Sequence, residues 1–199
     1  MAGAAEALLR TIGRPLPGGD DPGRGLRRGK FPGAIGLEVR ANSAADIRTD
    51  LDRLPWPLRE GSFDLIVMRH VLEHMRDVVA TVEELHRLAK PGGRIVVETP
   101  HFSWVEAFRH PCHLHFFAGG SFDYYYPGNP NYWAHLCICR RRIYFNDLFR
   151  VIGFEALANR FGRFYERHLA FIFPAGSIVW EMEAVKRPGE VMGRDPGRK

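Results

Sequence analysis

Cysteine is scarce in this chain: Cys112, Cys137 and Cys139 are the only ones in 199 residues. So odd and sparse a set makes no disulfide framework. Long apolar runs are also missing. The most apolar late stretch, residues 169–180, is broken by Pro174 and Gly176, whereas a membrane span takes about 20 consecutive apolar residues. The first twenty residues lack the apolar core of a signal peptide. These absences predict a cytoplasmic protein without a membrane partner. Positive charge is short where a nucleic-acid binder needs it. The whole chain carries +5, but residues 1–30 hold six basic and three acidic side chains, and residues 186–199 hold five and two. That leaves seventeen basic and eighteen acidic groups over residues 31–185, a net of −1. The excess sits in the two ends, which argues against a phosphate-backbone partner.

Internal repeats and a nucleophile triad are absent too. Hydrophobic residues at 45% and charged ones at 26% are ordinary globular values, and this length supports one domain with a full core. The expected plan is a poorly ordered segment over 1–30, a domain over 31–186 and a disordered tail over 187–199. Residues 4–12 read as a short helix, with Ala5, Leu8, Leu9 and Ile12 on one side, ended by Pro15. Residues 18–33 are nearly free of apolar side chains and read as a loop. Strands are expected over 34–39 and near 45–51.

The most legible stretch is 63–100. Residues 63–68 (FDLIVM) form a short apolar run, as in a strand buried on both faces of a parallel sheet. Asp77 is an N-cap. Behind it Val78, Val82, Leu85 and Ala89 recur at helical spacing. Pro91-Gly92-Gly93 stops the helix, and residues 94–99 form a second strand. Strand, helix and strand make a right-handed βαβ unit, and such sheets bind ligands outside the carboxyl ends of their strands. Those ends are Arg69-His70 and Thr99-Pro100-His101. Residues 101–139 read as irregular and aromatic, with 116–133 as a lid or acceptor wall. Asn146 caps a helix through Ile152, closed by Gly153, and residues 177–185 (SIVWEMEAV) alternate like a strand.

In this order the segments resemble class I S-adenosylmethionine-dependent methyltransferases, in the bacterial branch known simply as a methyltransferase domain. The match rests on PGAIGLEV (32–39), ADIRTDLDRLPWP (45–57), GSFDLIVMRHVLEH (61–74) and LHRLAKPGGRIVVETPHFS (85–103). The resemblance implies an α/β, Rossmann-like, doubly wound and mostly parallel sheet with helices on both faces, its first strand in doubt. It implies S-adenosylmethionine as cofactor and a small-molecule, sugar or surface-polymer-precursor acceptor. Glu38 matches the acid that accepts from the ribose hydroxyls, which suits a carboxylate's two acceptors. Asp50 and Leu51 match the step that meets the adenine. Met68, Arg69 and His70 match the wall beside the methionine part.

Upstream the chain departs from the pattern. The family's first strand leads into a glycine-rich loop at a helix N-terminus. Here the corresponding place, Asp21 to Gly29, offers only Gly23-Arg24-Gly25 without an aliphatic strand. Codons 25–28 read as GGG-CTG-CGG-CGG would yield Gly-Cys-Gly one nucleotide later. Two compensating frame changes around 19–31 would therefore explain the departure, and the gene's codons decide it. An alternative expectation is a methyltransferase-fold protein that binds no cofactor and is a partner subunit or a damaged gene copy. Histidines crowd residues 110–115 (HPCHLH), but their spacing is not that of a closed zinc site, so no metal is expected. His101, His113 and His115 are candidate bases beside the acceptor, and His74 is expected to be a structural hydrogen-bonding residue.

Overall fold

The computed structural model describes residues 6–10, 34–38 and 46–186. Its sheet comprises β1 (Glu6–Arg10), β2 (Ala34–Glu38), β3 (Ile47–Arg48), β4 (Phe63–Arg69), β5 (Ala89–Pro100), β6 (Leu136–Tyr144) and β7 (Ser177–Ala184). They lie in the order β3-β2-β1-β4-β5-β7-β6. β2 pairs with β3, and β4 with β5, in parallel. β1 is antiparallel to both β2 and β4, and β7 to both β5 and β6. β2, β3, β4, β5 and β6 thus share one direction, giving a Rossmann-like α/β sheet. The order turns back between β1 and β4, the switch point where such sheets take their ligands.

The central unit follows the sequence closely. α1 (Val78–Leu88) starts at Asp77, whose carboxylate accepts the Ala80 N–H at 2.9 Å. Its Val82, Leu85 and Leu88 share one core with Ile66 and Met68 of β4, Ile95 and Val97 of β5, and Ile178 and Trp180 of β7. Leu65, Val67, Val96 and Val179 alternate with these and form a smaller cluster on the opposite face. α1 ends at Leu88, ahead of the proline, and Pro91-Gly92-Gly93 lies within the first part of β5. There the register against β4 slips between Phe63 and Leu65. A Cβ on Gly93 would stand 2.9 Å from the carbonyl oxygens of Phe63 and Lys90, so this bulge requires glycine.

Two segments differ from expectation. Residues 6–10 are a strand, not a helix. Leu8 lies opposite Gly36 on one side and Val67 on the other, so the ladder satisfies backbone groups that so short a helix would leave unpaired. The sheet therefore draws on the first thirty residues. Residues 101–139 are not irregular throughout. They hold α2 (Val105–Arg109), a 3₁₀ turn (Gly119–Tyr125) and the start of β6. Arg140-Arg141-Arg142 disguised β6 in the sequence. In the structure Arg142 reaches Glu155 at 3.1 Å, Arg140 reaches Glu181 at 3.7 Å, and Arg141 pairs with Asp123.

α3 (Asp147–Val151) is capped by Asn146, which accepts the Phe149 N–H at 3.1 Å. α4 (Phe154–Arg160) and α5 (Gly162–His168) follow. Among the described residues no helix is long and apolar enough to cross a membrane. The glycine-rich stretch around Gly23-Arg24-Gly25 and the tail from residue 187 lie outside the described residues.

Candidate active site

β4 and β5 end side by side, and their last residues tie the site together. Arg69 Nε donates to Glu98 Oε2 at 2.8 Å, and the His70 N–H donates to the Glu98 carbonyl at 2.8 Å. His70 has φ +50, a left-handed backbone rarely taken by a residue with a side chain. Its ring lies 3.4 Å from Glu73 Oε1 and 3.8 Å from Glu98 Oε1. Beyond it, the 3₁₀ turn Leu72–His74 presents the Glu73 carbonyl, which accepts the N–H groups of Leu114 at 2.8 Å and His115 at 3.3 Å. That pair of bonds docks the histidine-rich loop over the end of β4. A cavity of about 580 Å³ opens between them, with His70, Glu73, His74, Trp104, His110 and His113 on its walls.

Glu73 is only 1% exposed, yet neither of its carboxylate oxygens has a hydrogen-bond partner. A buried carboxylate is costly unless something pairs with it, and the group beside this one is the His70 ring, 3.4 Å from Oε1. On a cavity wall it fits a cationic ligand. No sequence pattern singled it out, because its neighbours across the cavity come from the loop after β5.

His101 is not a base in this cavity. It is 0% exposed and both ring nitrogens are used. Ser103 Oγ lies 2.8 Å from Nδ1 and itself accepts the Ala175 N–H at 3.0 Å. Nε2 faces Glu166 Oε1 at 3.2 Å, and the same oxygen accepts the Gly119 N–H at 2.6 Å. The network fastens α5 to the chain leaving β5. Burial pushes the Glu166 carboxyl up, but the hydrogen bonds from His101 and Gly119, with the charge of Arg141, hold it below the ordinary range. A lowered carboxyl contributes stability that is fully present above its unfolded value and lost as pH falls through the folded one. Glu166→Gln is therefore expected to cost about 1–2 kcal/mol at pH 7. Urea midpoints of variant and parent should converge in acid; a constant gap down to pH 2 would contradict the assignment. Burial also drives the nearby Tyr165 hydroxyl up to about 12, so it stays protonated.

The expected cofactor residues gather at this same end of the sheet. Glu38 is the last residue of β2, level with Arg48 of β3, and the structure places its backbone there. Asp50 is exposed. Its Oδ1 accepts the Asp52 N–H at 3.1 Å, and Oδ2 lies 3.4 Å from Arg53. The Leu51 carbonyl accepts the Trp56 indole N–H at 3.0 Å. The Met68 side chain is fully buried in the core, so it offers the site backbone only. Arg69 is drawn to Glu98, which keeps its charge paired. Of the five whose side chains are described, His70 alone lines the cavity. His113 lines it as well, but His115 does not. His74 is the hydrogen-bonding residue expected, its Nδ1 lying 3.0 Å from the Cys112 carbonyl. The aromatic segment 116–133 does not wall the cavity. Phe117, Phe122 and Tyr125 are core, while Phe116, Tyr124, Tyr126 and Trp133 are exposed elsewhere.

A sheet of this order with a cavity at its carboxyl ends defines an α/β ligand-binding domain of the Rossmann-like class. Residues 26–185 match the model of a methyltransferase-domain family, and the chain belongs to that family. It is similar to uncharacterized protein YafE of Escherichia coli K12, 32% identical over 74 residues, covering 32% of this chain and 36% of that one. It is also similar to the chloroplastic tocopherol O-methyltransferase of Arabidopsis thaliana, 46% identical over 48 residues, covering 24% of this chain and 14% of that one. The matched region thus spans about a third or less of these relatives. Among solved structures it resembles S-adenosylmethionine-dependent methyltransferases from Mesorhizobium loti and Archaeoglobus fulgidus, each at a TM-score of 0.46 and 15% identity. The first covers 69% of this chain and 68% of that one, the second 69% and 66%.

Proposed function

We propose that the protein is a cytoplasmic S-adenosylmethionine-dependent methyltransferase whose acceptor is a small molecule, a sugar or a surface-polymer precursor. The observation that carries the reading is the convergence of Glu38, Asp50, Leu51 and His70 on the sheet end beside a cavity walled by Glu73, a buried acid whose oxygens make no hydrogen bond. Glu73 fits the cationic part of the cofactor, and Glu38 suits its ribose diol. Asp50 and Leu51 would flank the adenine. The cofactor supplies a methyl group on a sulfonium, already activated for transfer. The chain's own task is then to bind the acceptor, exclude water and align it, and alignment accounts for much of the rate. The even charge balance of residues 31–185 favours such an acceptor over nucleic acid.

A calorimetric titration with S-adenosylhomocysteine tests the reading. We expect binding, weakened by Glu38→Ala by about 1.5–3 kcal/mol, the usual worth of hydrogen bonds to a charged group. That corresponds to roughly a tenfold to hundredfold rise in Kd. No binding at millimolar ligand would refute it. One feature favours a second reading, a methyltransferase-fold protein that binds no cofactor. Segment 11–33 joins β1 to β2 at the Arg10–Ala34 pair, level with Leu65 at the start of β4. Both attachment points lie at the sheet end opposite His70, where a glycine-rich cradle is not needed.

A further inference from the structure

We infer that His74, His110 and His113 form a binding site for a divalent transition metal of the zinc type, open toward the cavity. Each ring offers one nitrogen, and the three lie within 4.8 Å of one another. The ring centroids are 4.7 Å apart for His74 and His113, 4.8 Å for His110 and His113, and 5.3 Å for His74 and His110. All three rings face the same 580 Å³ space. Imidazole nitrogens suit zinc, copper, nickel and cobalt, and three protein ligands with one open position is the arrangement of exchangeable zinc sites.

Proton positions support this. A carbonyl oxygen can only accept, so His74 Nδ1, 3.0 Å from the Cys112 carbonyl, must donate. His113 Nδ1, 2.9 Å from the Ala107 carbonyl, must donate too. In the neutral form of each ring the other nitrogen, Nε2, is the one without a proton, the state a metal requires. Backbone carbonyls that hold the far N–H of a histidine are the usual outer support of metal ligands. His110 is the ring that must give something up: its Nδ1 receives the Cys112 N–H in a long 3.4 Å contact. Zinc–nitrogen bonds of about 2.0–2.1 Å imply a nitrogen spacing near 3.4 Å, so closure takes side-chain rotations of roughly an ångström.

Histidine spacing within 110–115 could not reveal this site. Its third member stands after β4 and is brought in by the Glu73 carbonyl and by its own bond to Cys112. Glu73 and His70 line the same cavity, which leaves room there for an oxygen ligand. Resting here on the methyltransferase reading, that ligand is a hydroxyl-bearing acceptor. A hydroxyl bound to zinc loses its proton more readily, as bound water does with a pKa near 7.

The test uses the full-length chain, freed of metal and titrated with Co²⁺ and Zn²⁺. We expect cobalt ligand-field absorption that saturates at one ion per chain. His74→Gln and His113→Gln should each weaken binding at least about tenfold, with unchanged far-UV circular dichroism, whereas His115→Gln should not. Should the variants misfold, the parent's cobalt spectrum still decides. A thiolate-to-cobalt charge-transfer band would move the ion to the cysteines and overturn the site. So would affinity unaffected by His74→Gln and His113→Gln. Titrating S-adenosylhomocysteine into the same metal-free samples separates the two claims. Metal binding without it removes methyl transfer and keeps the site; the reverse result removes the site and keeps methyl transfer.

Discussion

Trp180→Ala is expected to lose about 3–5 kcal/mol of stability, the range for truncating a large buried ring. Trp180 is fully buried in the middle of β7, opposite Val97 of β5 and Arg141 of β6. Its ring meets Phe122 at 4.9 Å and Phe117 at 6.2 Å in edge-on contacts. Its indole N–H donates to the Gly119 carbonyl at 3.0 Å. Truncation therefore opens a void, removes ring contacts and leaves a buried carbonyl unpaired, three costs that act together. Domains of this kind are stable by only about 5–15 kcal/mol, so the loss is a large share. Trp180→Phe keeps most of the volume and should fall between the two. Phe164→Ala, at a 59% exposed position, should change little. Urea midpoints followed by far-UV circular dichroism measure all three. A Trp180→Ala midpoint within error of the parent would show that this core is not where stability resides.

The second large effect concerns β1. Leu8→Pro should cost about 3 kcal/mol or more, because proline removes an N–H from a strand with partners on both sides and clashes with its neighbours. Leu8 is the middle residue of β1, opposite Gly36 and Val67. Amide hydrogen exchange gives an independent reading. The amides of Leu8 and Leu9 should be protected in the parent, and those of β2 should lose protection in the variant. Rapid exchange throughout residues 6–10 in the parent would contradict the pairing. A neutral Leu8→Pro would do the same.

The two ends of this chain were not equally readable. The β4–α1–β5 unit was plain because two local signals agreed with the tertiary outcome, an apolar run for a strand buried on both faces and Asp77 as cap; the Pro91-Gly92-Gly93 step, read as the end of the helix, instead lies inside β5. Asn146 was readable for the same reason. β1 was not, because Leu8 and Leu9 with Ala5 and Ile12 satisfy a helical spacing. The slot between β2 and β4 outweighs that weak preference. β6 was hidden by its arginines, whose acidic partners Glu155, Glu181 and Asp123 lie on other elements. The site shows the same division. Residues at strand ends could be named from the order of segments. Glu73 and the grouping of His74 with His110 and His113 depend on how one loop docks over β4, and no periodicity encodes that.

The direction of β1 also matters for anyone handling the protein. Glu6 lies level with Arg69, whereas Glu183 near the end of β7 lies level with Arg94. A fusion partner joined directly ahead of Glu6 thus starts at the sheet end that carries the cavity. One joined after Ala184 starts at the far side of the sheet. Affinity handles, fluorophores and surface attachment joined on the Ala184 side start away from the cavity end of the sheet.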